Sequence, residues 1–297
     1  MTIGWNEAVP PELPPLRQRE RLRLALRGIV AVLTLLCLFG IFLLVRGAEM
    51  LVAKVRGRRS RRASNRIVQV WARTALPNLG LRYVQRGTPL SGAGGFVANH
   101  SSWIDIVVLQ RAAVPFLVSK SEVRDWPGIG FIGRAIGTLF IDRKATAAKR
   151  QEAELLERIR AGDRMALFPE GTSTDGQRVL PFKSSLFAVF FSRELETVTV
   201  QPVAITYHPA AGLPASFYSW WGEMDFAAHL IDILARSKGG VVEIDFLDPV
   251  AAEETTGRKE MAFICGQRVR SAFDSALPSG QSRVSVGSKV SATPFMQ

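Results

Sequence analysis

Residues 97–109 read VANHSSWIDIVVL, and this stretch predicts a strand, a turn and a helix in direct succession. The apolar residues 95–98 match a short buried strand, and a serine follows where it can cap a helix opening at Trp103. A strand that turns directly into a helix is typical of an α/β fold. The stretch also contains two ionisable side chains, His100 and Asp105.

The same alternation of short apolar runs and amphipathic stretches continues over the body of the chain. Strand candidates lie at 95–99, 115–119, 137–141, 165–168, 199–206 and 241–247. Helical patterns lie at 103–111, 145–160, 183–194, 224–236 and 258–275. This order predicts an α/β domain in which a mixed, mostly parallel sheet is flanked by helices. Ligand sites in such folds gather beyond the strand ends, in the loops that lead into helices.

A long apolar segment precedes this domain. Residues 28–45 contain no charge, and a helix over these 18 residues would span about 27 Å, close to the thickness of a bilayer's hydrocarbon core. No small-x-small cleavage pattern follows it, which disfavours a signal sequence. We therefore predict an N-terminal membrane helix, with a buried or interfacial helix as the alternative.

Positive charge is concentrated around this apolar segment. The formal net charge is +12, and residues 1–66 hold 13 Lys and Arg against 4 Asp and Glu. Residues 54–66 alone carry seven cations and no acid. A nucleic-acid-binding domain would spread such charge over a folded face, so we expect no nucleic acid partner. Cations beside an apolar span indicate contact with anionic membrane lipids, and they favour a cytoplasmic flank at an inner membrane.

The sequence divides into four predicted parts. These are an extended leader at 1–15, an anchor helix with basic flanks at 16–65, an α/β domain at 66–277 and a disordered tail at 278–297. The two cysteines, Cys37 and Cys265, offer neither a disulfide framework nor a metal-ligand spacing.

His100 and Asp105 admit two interpretations. Within one regular helix, five residues would turn the two side chains about 140° apart. If His100 instead lies in the turn before the helix, the carboxylate can reach back to one ring nitrogen and leave the other free as a base. In the alternative, His100 fills a capping turn and Asp105 is favoured there by the helix dipole. The spacing leaves both interpretations open.

Other polar groups also follow predicted strands. In the stretch FPEGTSTDG at 168–176, Gly171 allows close approach of backbone to a ligand, while Glu170 and Thr172 offer hydrogen-bonding groups. In GTLFIDR at 137–143, Arg143 can hold a phosphate through two hydrogen bonds. Two further candidate anion ligands are Lys120 and Lys183. For each of these features the alternative is an ordinary turn, a surface ion pair or a solvated cation.

Taken together, these stretches resemble, in order and spacing, the four sequence blocks of the glycerolipid acyltransferase family typified by 1-acyl-glycerol-3-phosphate acyltransferase. NHSSWID matches the family's His-x4-Asp block, GTLFIDR its second block, FPEGTS its third and VQPVAI its fourth. The resemblance covers roughly residues 66–250. The basic, apolar N-terminal region also suits a family whose members are commonly membrane-bound.

The resemblance implies a fold and a reaction. By the family's mechanism, His100 takes the proton from an acceptor hydroxyl that attacks an acyl thioester, and Asp105 orients the imidazole. By the same resemblance the donor is a thioester of acyl-carrier protein or coenzyme A, the partners are membrane lipids, and we expect no metal in the chemistry and no resident cofactor. The leading acceptor is 1-acylglycerol-3-phosphate, which gives phosphatidic acid. The residues implied or suggested to bind substrate are Arg143, Glu170, Gly171, Thr172, Lys120 and Lys183.

The chain departs from the family pattern at one position. Many phosphatidate-forming members carry an arginine directly after the Gly-Thr of the third block, whereas this chain has Ser173. A related branch acylates lyso-ornithine lipid, whose head group carries no phosphate, and GTSTDG resembles that branch. Lyso-ornithine lipid O-acyltransferase is therefore the alternative function.

Two other classes of protein are less compatible with the sequence. A lipase or thioesterase would need a nucleophile elbow such as Gly-x-Ser-x-Gly, which the sequence lacks. A non-catalytic membrane scaffold would explain the apolar segment and the basic run, but it would not need a His-Asp pair beside an anion-binding arginine.

Overall fold

The computed structural model describes residues 10–277 except 58–59, 93, 127, 142–144, 193 and 196–197, and it gives the backbone alone for Lys120 and 145–152. Seven α-helices are described: α1 Gln18–Arg56, α2 Arg62–Asn78, α3 Ile104–Ala112, α4 Ile129–Ile136, α5 Ala145–Arg160, α6 Phe226–Arg236 and α7 Arg258–Ala276. The described strands are β1 Leu81–Arg86, β2 Gly94–Ala98, β3 Phe116–Lys120, β4 Leu139–Ile141, β5 Arg164–Leu167, β6 Thr199–His208, β7 Gly240–Phe246 and β8 Val250–Ala251.

The strands form one mixed sheet with the order β1-β7-β6-β2-β5-β3-β4, and β8 pairs with the start of β6. Strands β2 to β6 run parallel to one another, whereas β7 is antiparallel to β6 and β1 follows the direction of β7. The predicted α/β fold with a mostly parallel sheet is therefore confirmed. The carboxyl ends of β2 to β6 lie along the same side of the sheet. This side, which runs across the strand ends, is called the active edge below.

Helices cover both faces of the sheet. On one face α2, α3 and α6 bury residues such as Leu76, Ile104 and Ile233 against the strands. On the other face α5, α7 and a short 3₁₀ helix at Ser184–Phe191 bury Ile159, Cys265 and their neighbours. Both faces are covered, which explains why every residue of strand β2 is buried and why the strand does not alternate with polar residues.

Helix α1 contains the whole apolar segment and is one continuous helix of 39 residues, about 58 Å long. By length and composition it could cross a membrane. It is nevertheless fastened to the α/β domain near both of its ends. At the start, Arg27 donates to the carbonyl of Ser237 at 2.8 Å. Towards the end, the Glu49 carboxylate accepts the Ser64 hydroxyl at 2.6 Å, so α1 lies alongside α2.

Several elements were not predicted from the sequence. Helix α2 was missed because its start is basic and it contains Pro77. Strand β1, with the sequence LRYVQR, was missed because it is an edge strand with several exposed polar residues. Helix α4 was also missed, and the helix predicted at 183–194 is a 3₁₀ helix over Ser184–Phe191. The predicted tail at 278–297 and most of the leader lie outside the described residues.

Candidate active site

His100 lies in the turn between β2 and α3, and Asp105 lies in the first turn of α3. The Nδ1 atom of His100 is 2.7 Å from Oδ2 of Asp105, so the carboxylate does reach back to the ring. The same Oδ2 accepts the backbone N–H groups of Ser101 and Ser102, both at 2.9 Å. Asp105 has no exposed surface. A carboxylate this deeply buried needs such hydrogen-bond partners, because an unsatisfied polar group in the protein interior is costly.

This contact determines which ring nitrogen of His100 is free to accept a proton. With Nδ1–H donating to Asp105, the proton of the neutral ring lies on Nδ1 and Nε2 keeps its lone pair. The ring stacks on Phe168 with 4.1 Å between centroids, which restricts its orientation. Because its side chain is still about 20% exposed, a substrate can reach the ring. The geometry therefore suits a general base.

Tyr207 also supports Asp105, and no sequence pattern predicts this contact. Its hydroxyl donates to the second carboxylate oxygen, Oδ1, at 2.7 Å. Burial and the neighbouring Asp105 charge raise the pKa of Tyr207 well above its ordinary value, so the phenol keeps its proton. Tyr207 lies near the end of β6, two residues after the fourth sequence block. Only the parallel pairing of β6 with β2 brings it to the active edge.

Asn99, the residue before the base, joins the ends of two strands. Its side-chain amide donates to the carbonyl of Ile205 and its side-chain oxygen accepts the N–H of Ile205, both at 2.8 Å. The pair of bonds replaces the backbone ladder at the point where β2 leaves the sheet. It therefore fixes the position from which the His100 turn departs.

Glu170 supports the backbone of the base. Its Oε1 accepts the N–H of His100 at 2.6 Å and its Oε2 accepts the N–H of Leu180 at 2.7 Å. The residue is 1% exposed. Desolvation by burial raises the pKa of Glu170 to about 8, although the two N–H bonds act in the opposite direction. In this structure both oxygens are used within the protein, so the contacts of Glu170 are with backbone.

The loop after Glu170 packs against the His100 turn. Gly171 has a φ of 72°, and a Cβ built on it would lie 2.6 Å from Nζ of Lys183. The left-handed backbone conformation favours glycine there, and the flexible Lys183 side chain lies over it. Thr172 is half-buried, and its hydroxyl lies 3.3 Å from the carbonyl of Ser173. Thr174 donates its N–H to the carbonyl of His100 at 2.9 Å. The first and third sequence blocks therefore meet at the base.

Arg178 is a second cation in this loop besides Lys183, and it was not among the predicted ligands. Arg178 donates through Nε to Oδ1 of Asp175 at 3.2 Å and through Nη2 to Oδ2 at 2.8 Å. Asp175 is buried, and the Arg178 side chain is about 20% exposed. Within the described part of the chain, Nη1 of Arg178 makes no hydrogen bond. The available signal was the pair of opposite charges three residues apart in a predicted ligand loop.

For two predicted substrate ligands the structure describes the backbone alone or nothing. Arg143 and its neighbour Asp142 lie outside the described residues. Lys120 is the last residue of β3, which places its backbone at the active edge, and nothing is described of its side chain. Among the described residues no group of three or more His, Cys, Asp or Glu is arranged to hold a metal.

Comparison with known proteins bears directly on this site. The family model described as Acyltransferase matches residues 78–206, which include β2, the His100 turn and the loop after Glu170. A lyso-ornithine lipid O-acyltransferase of Rhodobacter capsulatus is 42% identical over 270 residues, which is 91% of this chain and 96% of that protein.

The chain belongs to the acyltransferase family. A 1-acyl-sn-glycerol-3-phosphate acyltransferase of Neisseria gonorrhoeae is 28% identical over 66% of this chain and 76% of that protein. The crystal structure of the 1-acyl-sn-glycerophosphate acyltransferase PlsC of Thermotoga maritima matches with a TM-score of 0.60 and 19% identity, covering 87% of this chain and 97% of the other, and it shows the fold. This acyltransferase is therefore an enzyme of lipid metabolism with lipid substrates.

Proposed function

We propose that this acyltransferase moves a fatty acyl group from a thioester to the free hydroxyl of lyso-ornithine lipid, giving ornithine lipid. The 2.7 Å contact between His100 and the buried Asp105 carries the chemistry, since it supplies an oriented base. The choice of acceptor is supported by the relatives named for that reaction, four of which are 35–42% identical to this chain.

The reaction follows from the geometry of the base. Nε2 of His100 takes the proton of the acceptor hydroxyl while the hydroxyl oxygen attacks the thioester carbonyl carbon. The carbon–sulfur bond then breaks, and the proton held by His100 passes to the leaving thiolate. Asp105 stabilises the imidazolium that exists between these steps. Because a thioester is already activated, one base and good positioning are sufficient.

Direct transfer is favoured over an acyl-enzyme. Cys265 is buried, and burial raises the pKa of its thiol to about 12, so no thiolate is available at neutral pH. It packs in the cluster on the face of the sheet opposite α3. Cys37 lies within the apolar part of α1, far along the chain from the His100 turn. The acceptor hydroxyl is therefore the nucleophile in our proposal.

The anionic part of the acceptor has candidate ligands beside the base. Arg178 is held by Asp175 in a loop that bonds to the carbonyl of His100, and Lys183 lies over Gly171. A guanidinium with free N–H groups can bind the carboxylate of an ornithine head group. We propose this role for Arg178, with Lys183, Lys120 and Arg143 as further anion ligands.

A second candidate acceptor is 1-acylglycerol-3-phosphate. The observation in its favour is the similarity to the Neisseria relative named for that substrate, together with the same cations, which can hold a phosphate as well as a carboxylate. Ser173, in place of the arginine expected in phosphatidate-forming members, is the observation against it.

The donor and the location also belong to this proposal. We propose acyl-carrier protein or coenzyme A thioesters as donors and the cytoplasmic face of the inner membrane as the site of action. The exposed apolar surface of α1 supports membrane association. Since α1 is fastened to the domain near both ends, it would have to release one set of contacts to cross the bilayer upright.

The experiment uses membranes containing the full chain, labelled acyl thioesters and the two lyso-lipids offered separately. The His100→Ala variant serves as the matched control. Ornithine lipid formed only by the unsubstituted enzyme is the expected result. Phosphatidic acid formed alone would replace the acceptor with the second candidate, and transfer to neither lipid would refute both.

The role of Arg178 needs its own test. The unsubstituted enzyme should show a higher KM for the methyl ester of lyso-ornithine lipid than for the free acid, because the ester lacks the carboxylate. Arg178→Gln should no longer distinguish the two acceptors, while the control Arg268→Gln, on the exposed side of α7, should still do so. Equal discrimination by all three proteins would exclude the proposed role.

A further inference from the structure

A cavity of about 670 Å³ lies at the start of α1, apart from the His100 turn. Its walls come from three places: the first turns of α1, the loop that follows β6, and the end of α6. The lining residues are Arg17, Gln18, Arg19, Glu20, Arg23, Ala210, Ala211, Gly212, Leu213, Arg236 and Lys238.

The cavity is strongly basic. Five of its lining side chains are cationic and one, Glu20, is acidic. Glu20 is already paired with Arg236, at 3.5 Å. Arg19 and Lys238 are exposed, and neither forms an ion pair or side-chain hydrogen bond within the described chain. The cavity therefore presents uncompensated positive charge to whatever enters it.

The cavity lies at the active edge of the sheet. Residues 210–213 follow the carboxyl end of β6. Strand β6 is the neighbour of β2, which leads into the His100 turn. The segment after α6 leads into the start of β7, which pairs with His208 at the same end of β6. A ligand in the cavity would thus lie on the same side of the domain as the acyl-transfer site.

An apolar stripe leads away from the cavity along α1. Arg19 begins a row of residues spaced three and four apart, which share one face of a helix. The next members of the row are Leu22, Leu26, Ile29 and Leu33, with exposed fractions of 62%, 58%, 58% and 61%. A cationic end followed by an exposed apolar row matches a molecule with an anionic head and a hydrocarbon tail.

We infer that the cavity binds the phosphate-bearing anionic head group of a membrane lipid, whose acyl chain lies along the α1 stripe. This lipid is a resident of the site and is separate from the acceptor that reacts at His100. An acidic protein partner would match the charge of the cavity, but it would leave the apolar stripe without a partner. The lipid accounts for both features.

The test compares binding of the full-length enzyme to vesicles of phosphatidylcholine alone and of phosphatidylcholine with phosphatidylglycerol. The variant is Arg19→Gln with Lys238→Gln. Each cation near an anionic surface contributes roughly fivefold in partitioning, so the variant should bind the anionic vesicles on the order of 25-fold more weakly. Binding to phosphatidylcholine alone should not change.

The matched control is Arg258→Gln with Lys259→Gln, which removes the same charge. These residues begin α7 beyond β8, at the edge of the sheet opposite the active edge. Charges that far from the cavity are screened by salt, so the control should bind like the unsubstituted enzyme. Equal losses in variant and control would overturn the proposal.

Two other outcomes would also overturn it. If the variant loses binding of inorganic phosphate in solution but binds anionic vesicles like the unsubstituted enzyme, the cavity binds free phosphate and not a lipid. If the variant binds vesicles normally but loses activity with acyl-carrier protein thioester and not with the coenzyme A thioester, the cavity is a docking site for the carrier protein.

Discussion

The His100 turn and helix α1 are held in place in opposite ways. Asp105 is completely buried and accepts hydrogen bonds from His100, Tyr207 and two backbone N–H groups. Helix α1 exposes most of its apolar residues, and it is held by packing along α2, where Phe42 is buried, and by a few polar contacts near its ends. The first region is fixed by the high cost of leaving a buried charge without partners. The second depends on the medium that its apolar surface meets.

Substitutions in the two regions are therefore expected to affect different properties of the protein. In the His100 turn, removal of one polar atom leaves another buried group unsatisfied, so the effects are expected on catalysis and stability together. In α1, single substitutions on the exposed face are expected to change membrane binding and leave the fold intact.

His100→Ala should reduce the rate of acyl transfer by a factor of about 10²–10⁴, because the reaction loses its base. The measurement is product formation from a labelled thioester and lyso-ornithine lipid under saturating conditions. His208→Ala, which removes another half-buried histidine at the end of β6, is the control and should remain active. An unchanged rate in His100→Ala would contradict the assigned base.

Glu170 should make the stability of the fold depend on pH. Its pKa is raised from 4.5 to about 8 in the folded protein. Between these values the unfolded chain releases the proton and the folded chain retains it, so the contribution to stability is present at low pH and is lost as pH rises through about 8.

Glu170→Gln cannot ionise, so its free energy of unfolding should rise relative to the unsubstituted enzyme by a few kcal/mol between pH 5 and pH 8. Urea unfolding in detergent at the two pH values measures the difference. Glu223→Gln, at an exposed position, should show no such change. A difference between the Glu170→Gln variant and the parent that stays constant with pH would contradict the raised pKa.

Tyr207→Phe removes the hydroxyl that holds Oδ1 of Asp105. A hydrogen bond to a charged group contributes about 1.5–3 kcal/mol, and we expect kcat to fall about tenfold or more while KM changes little. Steady-state kinetics and the melting temperature should be measured on the same samples.

Tyr218→Phe provides the matched control for that substitution. The Tyr218 hydroxyl is also buried, but its partner is the Ser237 hydroxyl, at 2.6 Å. This variant should lose stability and keep kcat. Equal losses of kcat in the two variants would mean that Tyr207 acts on the fold alone.

Leu33→Ala removes part of the exposed apolar stripe of α1, and it should weaken binding to vesicles by about 1–2 kcal/mol. The melting temperature in detergent should not change, since Leu33 is 61% exposed. Phe263→Ala, at a similarly exposed position on α7, is the control and should bind vesicles normally. Equal weakening in both variants would show that α1 has no special contact with the membrane.

Much of the domain could be predicted because apolar runs and helical patterns are local features. The six strands predicted in the α/β domain and the helices at 145–160 and 258–275 correspond closely to described elements. Helix α2 and strand β1 escaped prediction because their local patterns are weak and their burial comes from neighbours that are distant in sequence. Leu76, for example, is buried by the cluster that also contains Ile104 and Ile233.

The residues of the candidate site also differ in how far the sequence predicts them. His100, Asp105 and the Glu170 loop lie in short motifs whose residue types and order were informative. Tyr207 and the backbone role of Glu170 had no comparable signal, because each depends on a strand pairing or a loop closure. Arg178 had only the weak signal of an opposite charge three residues away. The contact between Tyr207 and Asp105 joins residues that are 102 positions apart.

The sequence by itself determined the class of fold and the family, because these depend on local pattern and on the order of short motifs, and it marked His100 and Asp105 as a candidate pair. The tertiary structure decided which groups satisfy the buried Asp105, what Glu170 supports and where α1 lies. These are long-range contacts, and residues far apart in the chain become neighbours only when the sheet forms. Satisfying buried charge and covering apolar surface then select one arrangement among many that the local pattern allows.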